Sequence, residues 1–167
     1  MRRRAPNRGF TLIELLAVMA LLTTVMAVVA PSLARFMRGR DIEEEARRFL
    51  ALTRYARSEA ISRAAVFRLW IAPAEGAYGL EPETRAASAE VRTLEYRLAG
   101  RLHFALPDEA VLDEETGRLE LVFWPDGALD EEAADEIRIL DEDDRGFAIV
   151  QQDFGLGYAI EEWHGDD

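Results

Sequence analysis

The chain has 167 residues and no cysteine, which excludes disulfides and thiolate metal sites and leaves room, beside one apolar stretch, for a single domain with a real core. All 20 basic residues are arginines, and from Asp41 onward 13 of them stand against 31 acids, a net of −18. A surface so acidic repels phosphate backbones and disfavours DNA or RNA as partners.

Residues 1–9 carry Arg2, Arg3, Arg4 and Arg8 and no acid, and 10–30 then read FTLIELLAVMALLTTVMAVVA, in which only Glu14 is charged. As a helix this run spans roughly 30 Å, the thickness of a bilayer core. The preceding arginines place the N-terminus on the cytoplasmic side, although Arg35, Arg38 and Arg40 beyond the span weaken that asymmetry. Three readings fit: a cleaved secretory signal with Ser32-Leu33-Ala34 as its small-residue site, a plain membrane anchor, or a segment in which the acid has a specific task. A lone acid costs up to about 2.5–3.5 kcal/mol in hydrocarbon on insertion scales and usually has a partner there.

Arg8-Gly9-Phe10-Thr11-Leu12-Ile13-Glu14-Leu15-Leu16 resembles the class III signal of type IV prepilins and pseudopilins. The resemblance implies that prepilin peptidase cuts after Gly9 on the cytoplasmic face and methylates the new amine of Phe10. It also implies that Glu14 pairs with that amine on a neighbouring subunit during assembly. The chemistry is consistent with this. Glycine lets a protease approach the backbone, and residues four apart share one helix face. A pair buried in an apolar fibre is better suited to setting register than to adding stability.

Pro31 removes a backbone donor and predicts a bend. Beyond it, Ile42, Ala46, Phe49, Leu50, Thr53, Ala56, Ala60, Ile61 and Ala64 recur at helical spacing. They predict an amphipathic continuation over 31–65, with Glu43, Glu44, Glu45, Arg47, Arg48, Arg54 and Arg57 facing away and Gly39 as a weak point. If continuous from 10 to about 64, the helix would be roughly 80 Å long.

Alternating segments at 66–71, 91–98, 102–106, 119–124, 136–140, 147–151 and 157–160 predict strands, divided by turns at Pro73–Gly76, Pro107-Asp108, Thr116-Gly117 and Pro125-Asp126-Gly127. Residues 81–90, polar and alanine-rich, read as a loop. The expected fold is α+β: a long N-terminal hydrophobic helix packed on a C-terminal antiparallel β-sandwich or strongly curved sheet. Its segments would be a leader at 1–9, an assembly helix at 10–30, the continuation at 31–65 and a periplasmic β domain at 66–167. Residues 45–71, with the Arg57-Ser58-Glu59-Ala60-Ile61 stretch and the strand after it, are similar to the helix-to-strand passage of the GspH/FimT group of pseudopilins, and Val122-Phe123-Trp124-Pro125-Asp126-Gly127 resembles that group's strand end.

No nucleophile–base spacing, nucleotide loop or cofactor motif stands out, so the expectation is a protein that is not an enzyme and takes no cofactor. His103 and His164 read as structural. The acid clusters 113–115, 130–132 and 141–144 offer carboxylates to calcium, but the order DEDDRG at 141–146 lacks the spacing of an EF-hand loop and acids in loops are mostly solvated. Trp163 in the acidic tail reads as a cap on the core, with docking of a partner as the alternative.

The resemblance implies a minor pseudopilin of a type II secretion system, single-pass in the inner membrane with its C-terminal domain in the periplasm. Its partners would be prepilin peptidase and other pseudopilins, with secreted cargo or the outer-membrane secretin beyond them. The alternative it implies is a FimT-like minor pilin acting in pilus assembly or DNA uptake.

Overall fold

The computed structural model describes residues 11–83, 93–152 and 157–165, with 31–38 described by backbone alone. The chain divides into two units, Met1–Arg38 and Gly39–Asp167, so the predicted weak point at Gly39 is where the second unit begins. The single α-helix among the described residues, α1, is Leu12–Arg63, and Pro31 does not end it. Leucine, alanine, methionine, glutamate and arginine, all strong helix formers, dominate its sequence.

α1 stops at a left-handed residue. Ala64 has φ 49°, its N–H donates to the Ile61 carbonyl at 3.3 Å, and the Ala65 N–H reaches back to Ala60 at 3.2 Å. This is the Schellman pattern of bonds, with alanine where glycine is usual. Ala64 therefore leaves the predicted apolar stripe and is exposed, as is Ile61.

Among the described residues eight strands follow: β1 Phe67–Ala72, β2 Ala77–Pro82, β3 Leu94–Arg97, β4 His103–Ala105, β5 Leu119–Phe123, β6 Glu136–Leu140, β7 Gly146–Gln151 and β8 Tyr158–Trp163. They form two four-stranded sheets, β3-β2-β1-β5 and β4-β6-β7-β8, antiparallel throughout. The predicted strand at 157–160 runs on to Trp163. Val91 and Arg92, predicted as the start of β3, lie outside the described residues, as do 84–90 of the predicted loop.

β2 is the strand that sequence reading misses, because Gly79 and Pro82 suppress its signal. Gly79 lies opposite Trp70, and a Cβ there would sit 2.4 Å from the Leu94 carbonyl oxygen and 2.6 Å from the Trp70 ring. Only glycine fits between that indole and β3. Pro82 pairs with Phe67 beyond the last residue of β2 that β3 bonds, Leu80, so its missing N–H breaks no ladder there.

One core joins residues 42–60 of α1 to both sheets. At its centre the Phe49 ring lies 5.3 Å from Tyr78 of β2 and 5.9 Å from Phe104 of β4, edge-on to both. Tyr78 and Phe104 meet edge-on at 5.7 Å. Phe67, Leu69 and Ile71 of β1 and Ile137 and Ile139 of β6 are fully buried at alternate positions. Each such side chain stabilises the fold by roughly 1.5–3 kcal/mol.

Glu45 does not face away as predicted. It is 6% exposed, accepts the Tyr78 hydroxyl at 2.9 Å and pairs with Arg48 at 2.9 Å. Burial first, and the Glu45 carboxylate second, hold the Tyr78 hydroxyl well above the usual phenol range. The 3.6-residue period places Glu45 beside Ala46 and Phe49 on the core side, and a hydroxyl from another element makes an acid tolerable there.

Arg57 also departs from expectation. It is half-buried and its Nε donates to the Gly127 carbonyl at 2.9 Å. The turn it holds is closed by Gly127 N–H to Trp124 O at 2.8 Å and by Asp126, which accepts the Ala128 N–H at 2.9 Å. A Cβ on Gly127 would stand 2.7 Å from the Ile61 Cδ1 atom. The two stretches 57–61 and 122–127, far apart in sequence, thus dock on one another.

Candidate functional site

Thr11 opens α1. Its hydroxyl accepts the Glu14 N–H at 3.3 Å, and its carbonyl accepts the Leu15 N–H at 3.2 Å. Thr11-Leu12-Ile13-Glu14 has the Thr-x-x-Glu form of a capping box, in which the cap satisfies an orphan donor of the first turn. Glu14 is exposed and is the acid of that first turn. An anion there is favoured by the positive end of the helix dipole. Sequence reading singles out Glu14 but not Thr11, although the capping spacing marks both.

From Leu12 to Ala30 the helix is long and apolar enough to cross a membrane, and none of that window is buried. Leu12 is 78% exposed and Val29 still 46%. A face of this size, apolar around the whole circumference, demands lipid or other apolar helices. The two hydroxyls within it are satisfied locally. Thr23 and Thr24 both donate to the Ala20 carbonyl, at 2.9 and 2.8 Å, as hydroxyls must where water is absent. Gly9 and Phe10 lie outside the described residues, so of the three predicted site residues the structure places Glu14 alone.

The other sequence candidates resolve into local structure. In the loop 141–145, the Asp141 carboxylate accepts the Asp143 and Arg145 N–H groups at 2.9 and 3.1 Å, and Arg145 pairs with Asp143. Asp113 accepts the Thr116 hydroxyl and N–H, both at 2.7 Å, which lowers its pKa. Backbone donors and an arginine thus occupy oxygens that a cation would need. No group of three or more metal-ligating side chains occurs among the described residues. His103, at the start of β4, and His164, beside Glu162 at 3.8 Å, are both exposed. Trp163 does not cap the core. It ends β8 with Arg138 stacked 3.8 Å over its ring.

A family described as the prokaryotic N-terminal methylation motif matches residues 4–30. No curated protein sequence matches the chain. Among solved structures, the fold is similar to that of the minor pseudopilin EpsH from the type 2 secretion system of Vibrio cholerae. The TM-score is 0.54 at 15% identity, over 73% of this chain and 97% of that one. It is similar also to the type IV minor pilin FimU of Pseudomonas aeruginosa. There the TM-score is 0.52 at 18% identity, over 75% of this chain and 92% of that one. At these identities the likeness is one of fold.

Proposed function

We propose that this chain, type IV pilin-like in its N-terminal motif and its fold, is a minor pseudopilin of a type II secretion system that works by assembly into a short pseudopilus. The observation that carries the reading is the methylation motif over residues 4–30 running into a helix whose apolar surface is left uncovered. A domain with its own closed core does not need that surface. A fibre of like helices does.

In this reading prepilin peptidase cuts after Gly9 and methylates Phe10. The new amine then lies at the positive end of α1, an unfavourable place for a cation. The Glu14 carboxylate, one turn along, offsets it and pairs with the amine of an adjacent subunit. Thr11 holds the first turn, so Glu14 is presented at a fixed height on the helix. Leu12–Ala30 supplies packing in the membrane and then in the fibre, and the β domain in the periplasm supplies specificity toward other pseudopilins, cargo or the secretin. Catalysis has no part in this.

The EpsH and FimU likenesses are nearly equal, which favours one second reading: a minor pilin of a type IV pilus. Its DNA-uptake form sits poorly with a net of −18 beyond residue 40. Deleting the gene and scoring protein export against surface piliation separates the two.

Mass spectrometry of the protein from cells containing the peptidase should find Phe10 as the first residue with one added methyl. An intact Met1 or a start at Arg35 would end the proposal. Glu14→Ala should still be cleaved and yet fail to enter the filament, and equal incorporation of the mutant would remove Glu14 from the mechanism.

A further inference from the structure

The sandwich is closed on one side and open on the other. At the β2–β4 side, Phe49, Tyr78 and Phe104 fill the gap between the sheets. At the opposite side β8 is, among the described residues, the end strand of its sheet, and a groove of about 610 Å³ runs between it and α1. Arg47, Ala51 and Arg54 of α1 form one wall, and Phe147 and Ile160 form the other. Past Arg54 the groove continues to Arg57 and Ser58, over Phe123 and Tyr158.

The backbone of β8 is oriented for pairing. The Gln152 N–H to Gly157 O bond, 2.8 Å, closes the β7–β8 hairpin and sets the phase of the ladder. Ala159, Glu161 and Trp163 then bond back to β7, while Tyr158, Ile160 and Glu162 turn their N–H and C=O groups toward the open edge. A row of unpaired strand groups beside an apolar floor accepts another strand readily.

Charge selects the occupant. In a domain of net −18 this wall of α1 carries three arginines. Arg47 is paired with Glu43, which shares the groove, and Arg57 is held by Gly127. The Arg54 side chain has neither an ion pair nor a hydrogen-bond partner among the described residues. A cation left exposed on so acidic a molecule attracts carboxylates.

We propose that the groove between α1 and β8 docks an extended acidic segment of another protein subunit. The segment adds to the β8 edge as a strand whose carboxylates, on the face turned toward α1, meet Arg54 and Arg57 beside Phe147 and Ile160, while the apolar side chains between them turn to the opposite face of the sheet. The inference does not depend on where the chain is cleaved, and it holds for a pseudopilus or a pilus alike.

The test uses the full chain in detergent and a short, end-capped peptide alternating Glu and Val. Binding should slow hydrogen exchange at the Ile160 and Glu162 amides and weaken as salt rises. Arg54→Glu should lower affinity about tenfold or more, the loss of one close charge pair. Arg97→Glu, on β3 of the other sheet, should leave it unchanged. The same peptide with Lys in place of Glu should not bind. Equal binding of the Lys peptide, indifference to Arg54→Glu, or protection elsewhere than β8 would overturn the proposal. So would tighter binding of oligo-dT than of the acidic peptide, which would make the groove a nucleic-acid site. Protection of Ile160 that rises with protein concentration alone would assign the edge to a second copy and likewise overturn it.

Discussion

The two parts of α1 are built from the same helix-forming residues and end in opposite situations. Leu12–Ala30 is apolar on every side and buries nothing. Residues 42–60 carry charge on one face and bury Ala46, Phe49, Ala56 and Ala60 completely on the other. The first part has an unmet need that only something outside the chain can satisfy. The second has its need met within the domain. A helix thus shows by its pattern whether its partner is lipid and other helices or its own fold.

That contrast can be broken by mutation, with thermal or chemical unfolding of the full chain in detergent as the measurement. Phe49→Ala should have the largest effect, a loss of about 3–5 kcal/mol, because its ring is shared by the helix and both sheets. A loss under 1 kcal/mol would show that the core does not depend on that junction. Glu45→Ala should cost about 1–3 kcal/mol by leaving the buried Tyr78 hydroxyl without an acceptor. Glu45→Gln keeps an acceptor and should cost less, and a reversal of that order would argue against the bond. Ala64→Gly should raise stability by about 1 kcal/mol by relieving a left-handed alanine. A decrease would mean that the Schellman turn is not under strain. Leu21→Ala, on a side chain 66% exposed, should move the unfolding transition by no more than about 0.5 kcal/mol while weakening assembly. A large shift in unfolding would show that the apolar part has a partner within the chain.

Much of this architecture was legible beforehand, for physical reasons. β6 is found where alternation placed it, at Glu136–Leu140, because one face meets the core and the other water. Gly9, Phe10 and Glu14 are legible as a motif, since an acid in hydrocarbon is rare enough to carry meaning. Thr11 was legible in principle through its capping spacing. β2 was not, because the residue that suppresses its strand signal, Gly79, is required by the Trp70 ring packed against it from the neighbouring strand.

Glu45 is the clearest limit on reading side chains along one helix. Three glutamates in a row look alike in sequence, and the one that is buried is chosen by a tyrosine 33 residues away. Arg57 is another case: its partner is a carbonyl 70 residues on.

By itself the sequence determined the apolar segment, its lone acid, the arginines that precede it and the periods that separate helix from strands. All of these are local properties of composition and spacing. Tertiary structure alone decided which polar groups are buried, which strand ends a sheet and that the Arg54 side chain has no ion pair among the described residues. Those outcomes depend on what a distant part of the chain brings to the same place.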